Sequence, residues 1–223
     1  NIFKNKEMRF IALFFLNIFD KIHQKKVLKK LKFLLNKKIK VAFDVGGHKG
    51  ETLQILLKNF EVENIYSFEP SLINYQNLLK KNKIKNPDTK IIFFNYGLGE
   101  KNEKKKFKQM KESSSSTLSK INEKTKYFKR KNLIINYGFK NDYYEETLVE
   151  IKKGISIVQE EKIKNIDFLK IDTEGHELYI LKGFENFMTN IGVILFEHHY
   201  DLMLNKGYGF SDINSHLIER NFK

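Results

Sequence analysis

The fold is decided by residues 41–53, which read Val41-Ala42-Phe43-Asp44-Val45-Gly46-Gly47-His48-Lys49-Gly50-Glu51-Thr52-Leu53. The first five residues form an apolar run with the length of a buried strand. A turn with three glycines follows, and from Thr52 to Phe60 the apolar residues recur with helical spacing. The stretch therefore predicts a strand, a tight turn and a helix in succession.

The same alternation continues along the rest of the chain. Further apolar runs of strand length occur at 64–68, 91–94, 166–171 and 193–196. Between them lie stretches with helical periodicity, the clearest of which contain Leu72, Tyr75, Leu78 and Leu79, and Leu178, Leu181 and Phe184. Alternating strands and helices predict an α/β fold, with a doubly wound, mainly parallel sheet and helices on both of its faces.

Polar residues follow every predicted strand, at the edge of the sheet where α/β folds bind their ligands. In chain order they are Asp44, Gly46 and Gly50, then Glu69, then Asn95, then Asp172-Thr173-Glu174-Gly175-His176, and finally Glu197-His198-His199. We therefore predict that the functional site lies among these residues.

The first turn fits the pattern Asp-x-Gly-x-x-x-Gly, whose glycines let the backbone approach a ligand closely. Glu69 comes 19 residues after Gly50, where a carboxylate can hydrogen-bond both hydroxyls of a ribose. This spacing leaves two interpretations, a dinucleotide or S-adenosylmethionine. The turn lacks the Gly-x-Gly-x-x-Gly pattern that makes room for a pyrophosphate, which disfavours NAD. It also lacks the Gly-Lys-Ser/Thr order of a Walker A loop.

Four sequence blocks carry a family resemblance. They are residues 43–53, Tyr66-Ser67-Phe68-Glu69-Pro70, Phe168-Leu169-Lys170-Ile171-Asp172-Thr173-Glu174-Gly175-His176-Glu177-Leu178, and Leu181-Lys182-Gly183. Together they resemble the FkbM-type methyltransferases, which are class I enzymes that use S-adenosylmethionine. Most members O-methylate sugars or secondary metabolites. The blocks occur in the family's order and span roughly residues 40–200.

The resemblance implies a set of cofactor-binding residues and an acidic pair, Asp172 and Glu174, beside the transferred methyl group. The predicted cofactor-binding residues are Asp44, Gly46, Gly47, Gly50, Thr52, Glu69, Asn95 and Asp172. The chain departs from the family pattern at His48, where Asn is common, and in a long Lys- and Ser-rich insertion at about 101–150. It also stops in a predicted helix, so we expect the last two strands of such a fold to be missing or reduced.

O-methylation of a sugar hydroxyl gains from a base that removes its proton. The candidate catalytic residues are Asp172, Glu174, His176 and His198, with His199 beside them. A second interpretation is that neighbouring carboxylates and imidazoles hold a divalent metal, although we assign no residue as a metal ligand. There are also structural alternatives: Asp172 caps the helix that follows it, and His176 and Glu177 are solvated positions on that helix.

The formal net charge of +14 is concentrated in two segments. Residues 1–40 carry a net +10 and residues 101–131 a net +9. The chain has only three arginines, whereas sites that read nucleic-acid bases favour arginine. We therefore do not expect nucleic acid as the partner, and the family resemblance implies a small-molecule or glycan acceptor, as in polysaccharide biosynthesis. The absence of cysteine excludes thiolate zinc sites and cysteine nucleophiles.

The chain divides into a basic amphipathic helical arm at 1–40 and a methyltransferase domain at 41–223. The arm packs on its own domain with a solvated lysine face, rests on an anionic membrane surface through residues 10–38, or, as the least favoured alternative, binds nucleic acid. Its apolar run at 11–19 is too short to span a bilayer. We expect a cytoplasmic protein, peripheral at the inner face of the membrane if the second interpretation holds. The Ser/Thr run at 113–117 is predicted as a flexible linker or as a mobile lid.

Two alternatives to a sugar or metabolite O-methyltransferase remain open at this point. An RNA methyltransferase would use the same cofactor with a basic groove for its substrate. A non-catalytic binding protein would keep the S-adenosylmethionine-binding fold without turnover.

Overall fold

The computed structural model describes residues 25–35, 37–81, 88–110, 116–126, 128–129, 144–198, 200 and 203–223. The strands are β1 (Lys38–Val45), β2 (Glu61–Phe68), β3 (Lys90–Phe94), β4 (Gly97–Gly99), β5 (Glu103–Met110), β6 (Lys120–Ile121), β7 (Tyr144–Lys153), β8 (Ile166–Ile171), β9 (Ile191–Phe196) and β10 (Leu204–Asn205). The helices are α1 (25–34), α2 (Glu51–Asn59), α3 (Leu72–Lys81), α4 (Gly154–Glu160), α5 (Glu177–Gly183) and α6 (Phe210–Ile218), with a 3-10 helix at Glu185–Asn190.

The central sheet has the strand order β3-β2-β1-β8-β9, and every neighbouring pair is parallel. All five strands predicted from the sequence form this sheet, which confirms the doubly wound α/β fold. The chain runs outward from β1 to β3 in one direction and from β8 to β9 in the other. The carboxyl ends of β1 and β8 therefore form the switch point at which such sheets bind ligands.

The sheet has a buried core on each face, as the side chains of β1 show. Phe43 and Val45 pack into a cluster that includes α4 and α5, whereas the adjacent Ala42 packs into a second cluster with α2. Neighbouring strand residues point to opposite faces, so this alternation divides the core in two. Apolar residues on both faces explain why the strands appear in the sequence as continuous apolar runs.

Helix α1 packs on the domain itself. Leu31 and Leu35 are buried in the same cluster as α2, and Val27 and Leu28 are partly buried against it. One face of residues 25–35 therefore packs on the domain, and what the arm's exposed lysines contact stays a prediction. Residues 1–24, with the apolar run at 11–19, lie outside the described residues. Within the described residues, no helix combines the length and the apolar character needed to cross a bilayer.

The Lys-rich insertion contributes to a second sheet, with strand order β4-β7-β5. β5 and β7 pair antiparallel along their length, and Phe107, Val149 and Ile151 form a small core beneath them. Of the Ser/Thr run, Ser116 and Thr117 are described. Thr117 is fully buried and forms a backbone bridge with Lys108. This end of the run is therefore anchored, while residues 113–115 lie outside the described residues.

The described part of the chain after β9 contains β10, which pairs with β6, and α6. β9 is consequently an edge strand of the central sheet among the described residues. The expectation that the last two strands are missing or reduced stays a prediction.

Candidate active site

A cleft of about 1020 Å³ opens at the carboxyl ends of β1, β2, β8 and β9. The loops that follow these strands provide most of its lining. Val27 of α1 lines one side, and Phe107, Ser116 and Leu118 of the insertion line another. Pockets for one small molecule measure roughly 300–1,000 Å³. The cleft therefore lies at the upper end of the size range of small-molecule sites.

The turn after β1 brings the backbone close to the neighbouring strands. Gly46 has a φ of 84°, and a Cβ at this position would overlap the carbonyl oxygen of Asp172. The N–H groups of Gly46 and Gly47 both donate to the carbonyl of Phe68 at 3.0 Å. A residue with a side chain would be strained at Gly46 and would also push β8 away. The predicted need for glycine here is therefore a consequence of packing between β1 and β8.

Glu69, at the end of β2, is a buried carboxylate that lines the cleft and is only 4% exposed. Its Oε2 accepts the N–H of His48 at 2.9 Å, and its Oε1 accepts the N–H of Ser71 at 2.9 Å. Burial raises the pKa of Glu69, and the two N–H donors offset part of that rise. These donors hold the carboxylate in one orientation at the cleft wall.

Asn95, predicted as a cofactor-binding residue, braces the Glu69 loop. Its Nδ2 donates to the carbonyls of Glu69 at 3.0 Å and Pro70 at 3.3 Å. Ser71 then caps α3, because its Oγ accepts the N–H of Asn74 at 3.2 Å. Asn95 lies outside the cleft lining and would act on a ligand through the position of Glu69.

Lys170 is a charged residue near the end of β8 that lines the cleft. Its Nζ donates to the carbonyl of Gly46 at 2.9 Å and lies 3.3 Å from Asp44 Oδ1 and 3.5 Å from Asp172 Oδ2. Asp44 is fully buried and also accepts a hydrogen bond from Ser67 Oγ at 3.2 Å. Burial alone would lower the pKa of Lys170, but the two carboxylates outweigh it and the pKa lies above its ordinary value.

Sequence reasoning did not assign Lys170 to the site. The available signal was a lysine inside the apolar run 166–171, at the strand position that shares a face with Asp172. A lysine in a buried strand is stable only when carboxylates pair with it. Asp44 and Asp172 are those partners.

Glu177, which is only 1% exposed, forms hydrogen bonds that fix the loop after β8. Glu177 Oε1 accepts the N–H of Gly175 at 2.8 Å, and its Oε2 accepts the hydroxyl of Tyr208 at 2.6 Å. The interpretation of Glu177 and His176 as solvated positions is therefore wrong: both are buried. The capping interpretation of Asp172 is wrong as well, because α5 begins at Glu177 and its N-cap residue is His176.

Two buried residues of the insertion donate hydroxyl hydrogen bonds to the same loop. Thr117 Oγ1 donates to the carbonyl of Glu174 at 2.5 Å, and Ser119 Oγ donates to the carbonyl of Gly175 at 2.8 Å. Glu174 itself has a φ of 52°, a conformation that these contacts support. The insertion is thus part of the wall of the site and fixes the loop that carries Asp172 and Glu174.

The four predicted catalytic residues, Asp172, Glu174, His176 and His198, all line the cleft. Burial and the nearby Lys105 lower the pKa of His176 to about 3. The imidazole of His176 consequently stays uncharged at neutral pH and is a poor proton acceptor. The catalytic roles of the other three residues stay predictions. His199 lies outside the described residues.

Of the predicted cofactor-binding residues, Gly46, Gly47, Thr52, Glu69 and Asp172 line the cleft, whereas Asp44, Gly50 and Asn95 lie behind it. Gly50 precedes α2 with a φ of 86°. In the part of the chain that the structure describes, no group of three or more His, Cys, Asp or Glu residues has the arrangement of a metal site.

The sequence of this site matches a known family. The model of the FkbM methyltransferase domain matches residues 44–223, which contain every loop that lines the cleft except the segment around Val27. The chain belongs to the FkbM methyltransferase family. Searches of curated proteins and of solved structures found no significant match.

This FkbM methyltransferase has an acidic cleft although its overall charge is +14. The lining contains the ammonium groups of Lys49 and Lys170 against the carboxylates of Glu51, Glu69, Asp172, Glu174 and Glu197. With neutral histidines the described lining therefore has a net charge of −3. Such a cleft attracts a cationic ligand and repels phosphate groups.

The hydrogen bond from Tyr208 to Glu177 predicts a measurable effect on stability. We expect Tyr208→Phe to lower the free energy of unfolding by about 1.5–3 kcal/mol, because a buried carboxylate loses a donor. Urea unfolding followed by circular dichroism measures the change. Tyr200→Phe is the matched control, since Tyr200 is 77% exposed and its substitution should have little effect. Equal stability of the two variants would contradict the role given to Tyr208.

Proposed function

We propose that this FkbM methyltransferase takes its methyl group from S-adenosylmethionine and transfers it to a hydroxyl group. The observation that carries the proposal is the buried Glu69 carboxylate, which lines the cleft at the end of β2. A carboxylate at this point of a doubly wound sheet can accept hydrogen bonds from both hydroxyls of a ribose.

The residues of the cleft fit S-adenosylmethionine in shape and in charge. The turn at Gly46 and Gly47 offers backbone without side chains, and Thr52 also belongs to the lining. The net charge of −3 suits a ligand that carries an ammonium and a sulfonium group. When bound, this cofactor supplies an activated methyl group on a positively charged sulfur.

The chain's own contribution to the reaction is to position the acceptor hydroxyl and to receive its proton. Asp172 is the best-placed acceptor of that proton, because its carboxylate is partly exposed to the cleft and is steadied by Lys170 at 3.5 Å. Glu174 and His198 are the remaining candidates in the lining. The low basicity of His176 argues against this residue as the proton acceptor.

A sugar or a ring-bearing secondary metabolite is the acceptor class that we propose. His198 of the lining contacts two aromatic rings: its ring lies 4.9 Å from that of Tyr200 and 5.6 Å from that of Phe210. Carboxylates and apolar ring faces side by side suit a molecule that has both hydroxyls and C–H faces. An RNA substrate is disfavoured, because its phosphates would meet the negative charge of the lining.

Replacement of Asp172 tests whether this residue acts in methyl transfer and not in cofactor binding. We expect Asp172→Ala to lower the rate of S-adenosylhomocysteine release by about 10²-fold, because the acceptor loses its base. The affinity for S-adenosylmethionine, measured by calorimetry, should change by less than about threefold. The rate is measured with the acceptor that performs best in a panel of sugars and phenols.

The surface variant Glu185→Ala is the control for this experiment, because Glu185 pairs with Lys153 at the protein surface. It should keep both the rate and the affinity of the unmodified chain. If the chain fails to bind S-adenosylmethionine at all, the proposed function is refuted. If Asp172→Ala keeps full turnover, only the assignment of the base is refuted.

A further inference from the structure

Helix α1 has a second face that points away from the domain. Its lysines are exposed, as are Phe33 at 80% and Leu34 at 49%. We call this surface the lysine face of α1; its charged members are Lys25, Lys26, Lys29, Lys30 and Lys32.

Among the described residues, no carboxylate forms an ion pair with a lysine of this face. The next lysines along the chain are paired, Lys37 with Glu61 at 2.7 Å and Lys38 with Glu63 at 2.9 Å. Within the described residues, none of the five α1 lysines forms such a pair. Lys30 Nζ instead lies 5.3 Å from the centre of the exposed Phe33 ring. The face thus combines concentrated positive charge with exposed apolar surface.

We propose that the lysine face of α1 binds the surface of an anionic lipid bilayer. Lysines close to an anionic leaflet are attracted to it, and their long apolar stems let the ammonium groups reach the headgroups. Phe33 and Leu34 enter the boundary between headgroups and acyl chains, where helices of this composition lie. RNA is the less suitable partner, because the face contains no arginine and only one aromatic ring for base stacking.

The position of α1 links this surface to the cleft. Val27 lines the cleft, and the preceding residue, Lys26, belongs to the lysine face. Because Leu31 and Leu35 are buried in the domain core, α1 is held to the domain while its opposite face contacts lipid. One side of the cleft therefore lies at the bilayer surface, which favours an acceptor that is attached to or dissolved in the membrane. This last step rests on the proposed function, whereas the lipid contact does not.

Vesicle sedimentation with the full chain tests the proposal. The chain should sediment with vesicles of phosphatidylglycerol and phosphatidylcholine and remain in solution with pure phosphatidylcholine. A variant with all five α1 lysines changed to Gln should bind the anionic vesicles at least about tenfold more weakly. The matched control has the same loss of net charge from five exposed lysines elsewhere: Lys58, Lys80, Lys81, Lys101 and Lys104. It should bind within about threefold of the unmodified chain.

A second variant, Phe33→Ser, separates apolar insertion from charge and should weaken vesicle binding by about tenfold. Circular dichroism and thermal unfolding check that each variant keeps its fold. Equal losses in the α1 variant and the charge-matched control would overturn the proposal, because binding would then follow net charge alone. Failure of the unmodified chain to sediment with anionic vesicles would overturn it too, as would RNA binding that the α1 variant alone loses. None of these readouts depends on methyl transfer.

Discussion

Glu69→Ala should weaken the binding of S-adenosylmethionine by about 10³-fold. Hydrogen bonds to a charged group contribute about 1.5–3 kcal/mol each, and a ribose offers Glu69 two of them. A loss of about 4 kcal/mol corresponds to that factor. The substitution also removes the acceptor of the N–H groups of His48 and Ser71, which loosens the turn that borders the cleft. Isothermal calorimetry measures the dissociation constant directly.

Two further variants separate the ligand contact from the loop contacts. Glu69→Gln keeps a carbonyl acceptor for one of the N–H groups but loses the negative charge, so we expect an intermediate affinity. Glu146→Ala is the control, because it removes a carboxylate from the surface pair with Lys106, outside the cleft lining. An affinity of Glu69→Ala within about threefold of the unmodified chain would refute the cofactor placement.

The same residue should make cofactor binding sensitive to acid. Burial raises the pKa of Glu69, so its carboxylate becomes protonated at a higher pH than an exposed glutamate would. Protonation removes acceptor capacity from the ribose hydroxyls. Affinity should therefore be complete above this raised pKa and should fall as the pH decreases through it. Glu69→Gln should lack that dependence.

The central sheet was predictable because local sequence determines it. Buried parallel strands appear as continuous apolar runs, and the glycine at 46 is required by a positive φ and by close packing against β8. The end of each strand then identifies where ligands bind, which is why Glu69 and Asp172 could be predicted as neighbours at one edge. These inferences need the order of the elements and no knowledge of tertiary contacts.

The contacts that hold the site together were not predictable in the same way. Glu177 stands at the first position of a helix, where a glutamate is usually solvated. It is buried because Tyr208, 31 residues later, packs on it and donates a hydrogen bond. Thr117 ends the Ser/Thr run that composition alone assigns to a linker or a lid, and Ser119 follows it. Their hydroxyls nevertheless donate to carbonyls 57 and 56 residues away, respectively. Such roles depend on pairs of residues that only the folded chain brings together.

Lys170 is the clearest example of a residue whose role depends on partners distant in sequence. The substitution Lys170→Met tests that role. The substitution keeps the apolar stem but leaves the fully buried Asp44 and the nearby Asp172 without their shared cation. Breaking a buried pair by removing one partner costs about 3–5 kcal/mol, because an uncompensated charge stays in the interior. We expect the free energy of unfolding to fall by that amount. Urea unfolding measures it.

Lys38→Met provides the matched control for this measurement. Lys38 pairs with Glu63 at 2.9 Å, but both side chains are largely exposed, so the loss should stay below about 1 kcal/mol. In the double variant Lys170→Met/Asp44→Asn the buried negative charge is removed together with its partner, and part of the lost stability should return. A Lys170→Met variant that is no less stable than Lys38→Met would contradict the ion cluster. Because the Lys170 ammonium also donates to the Gly46 carbonyl at 2.9 Å, we expect Lys170→Met to weaken the proposed binding of S-adenosylmethionine as well as folding.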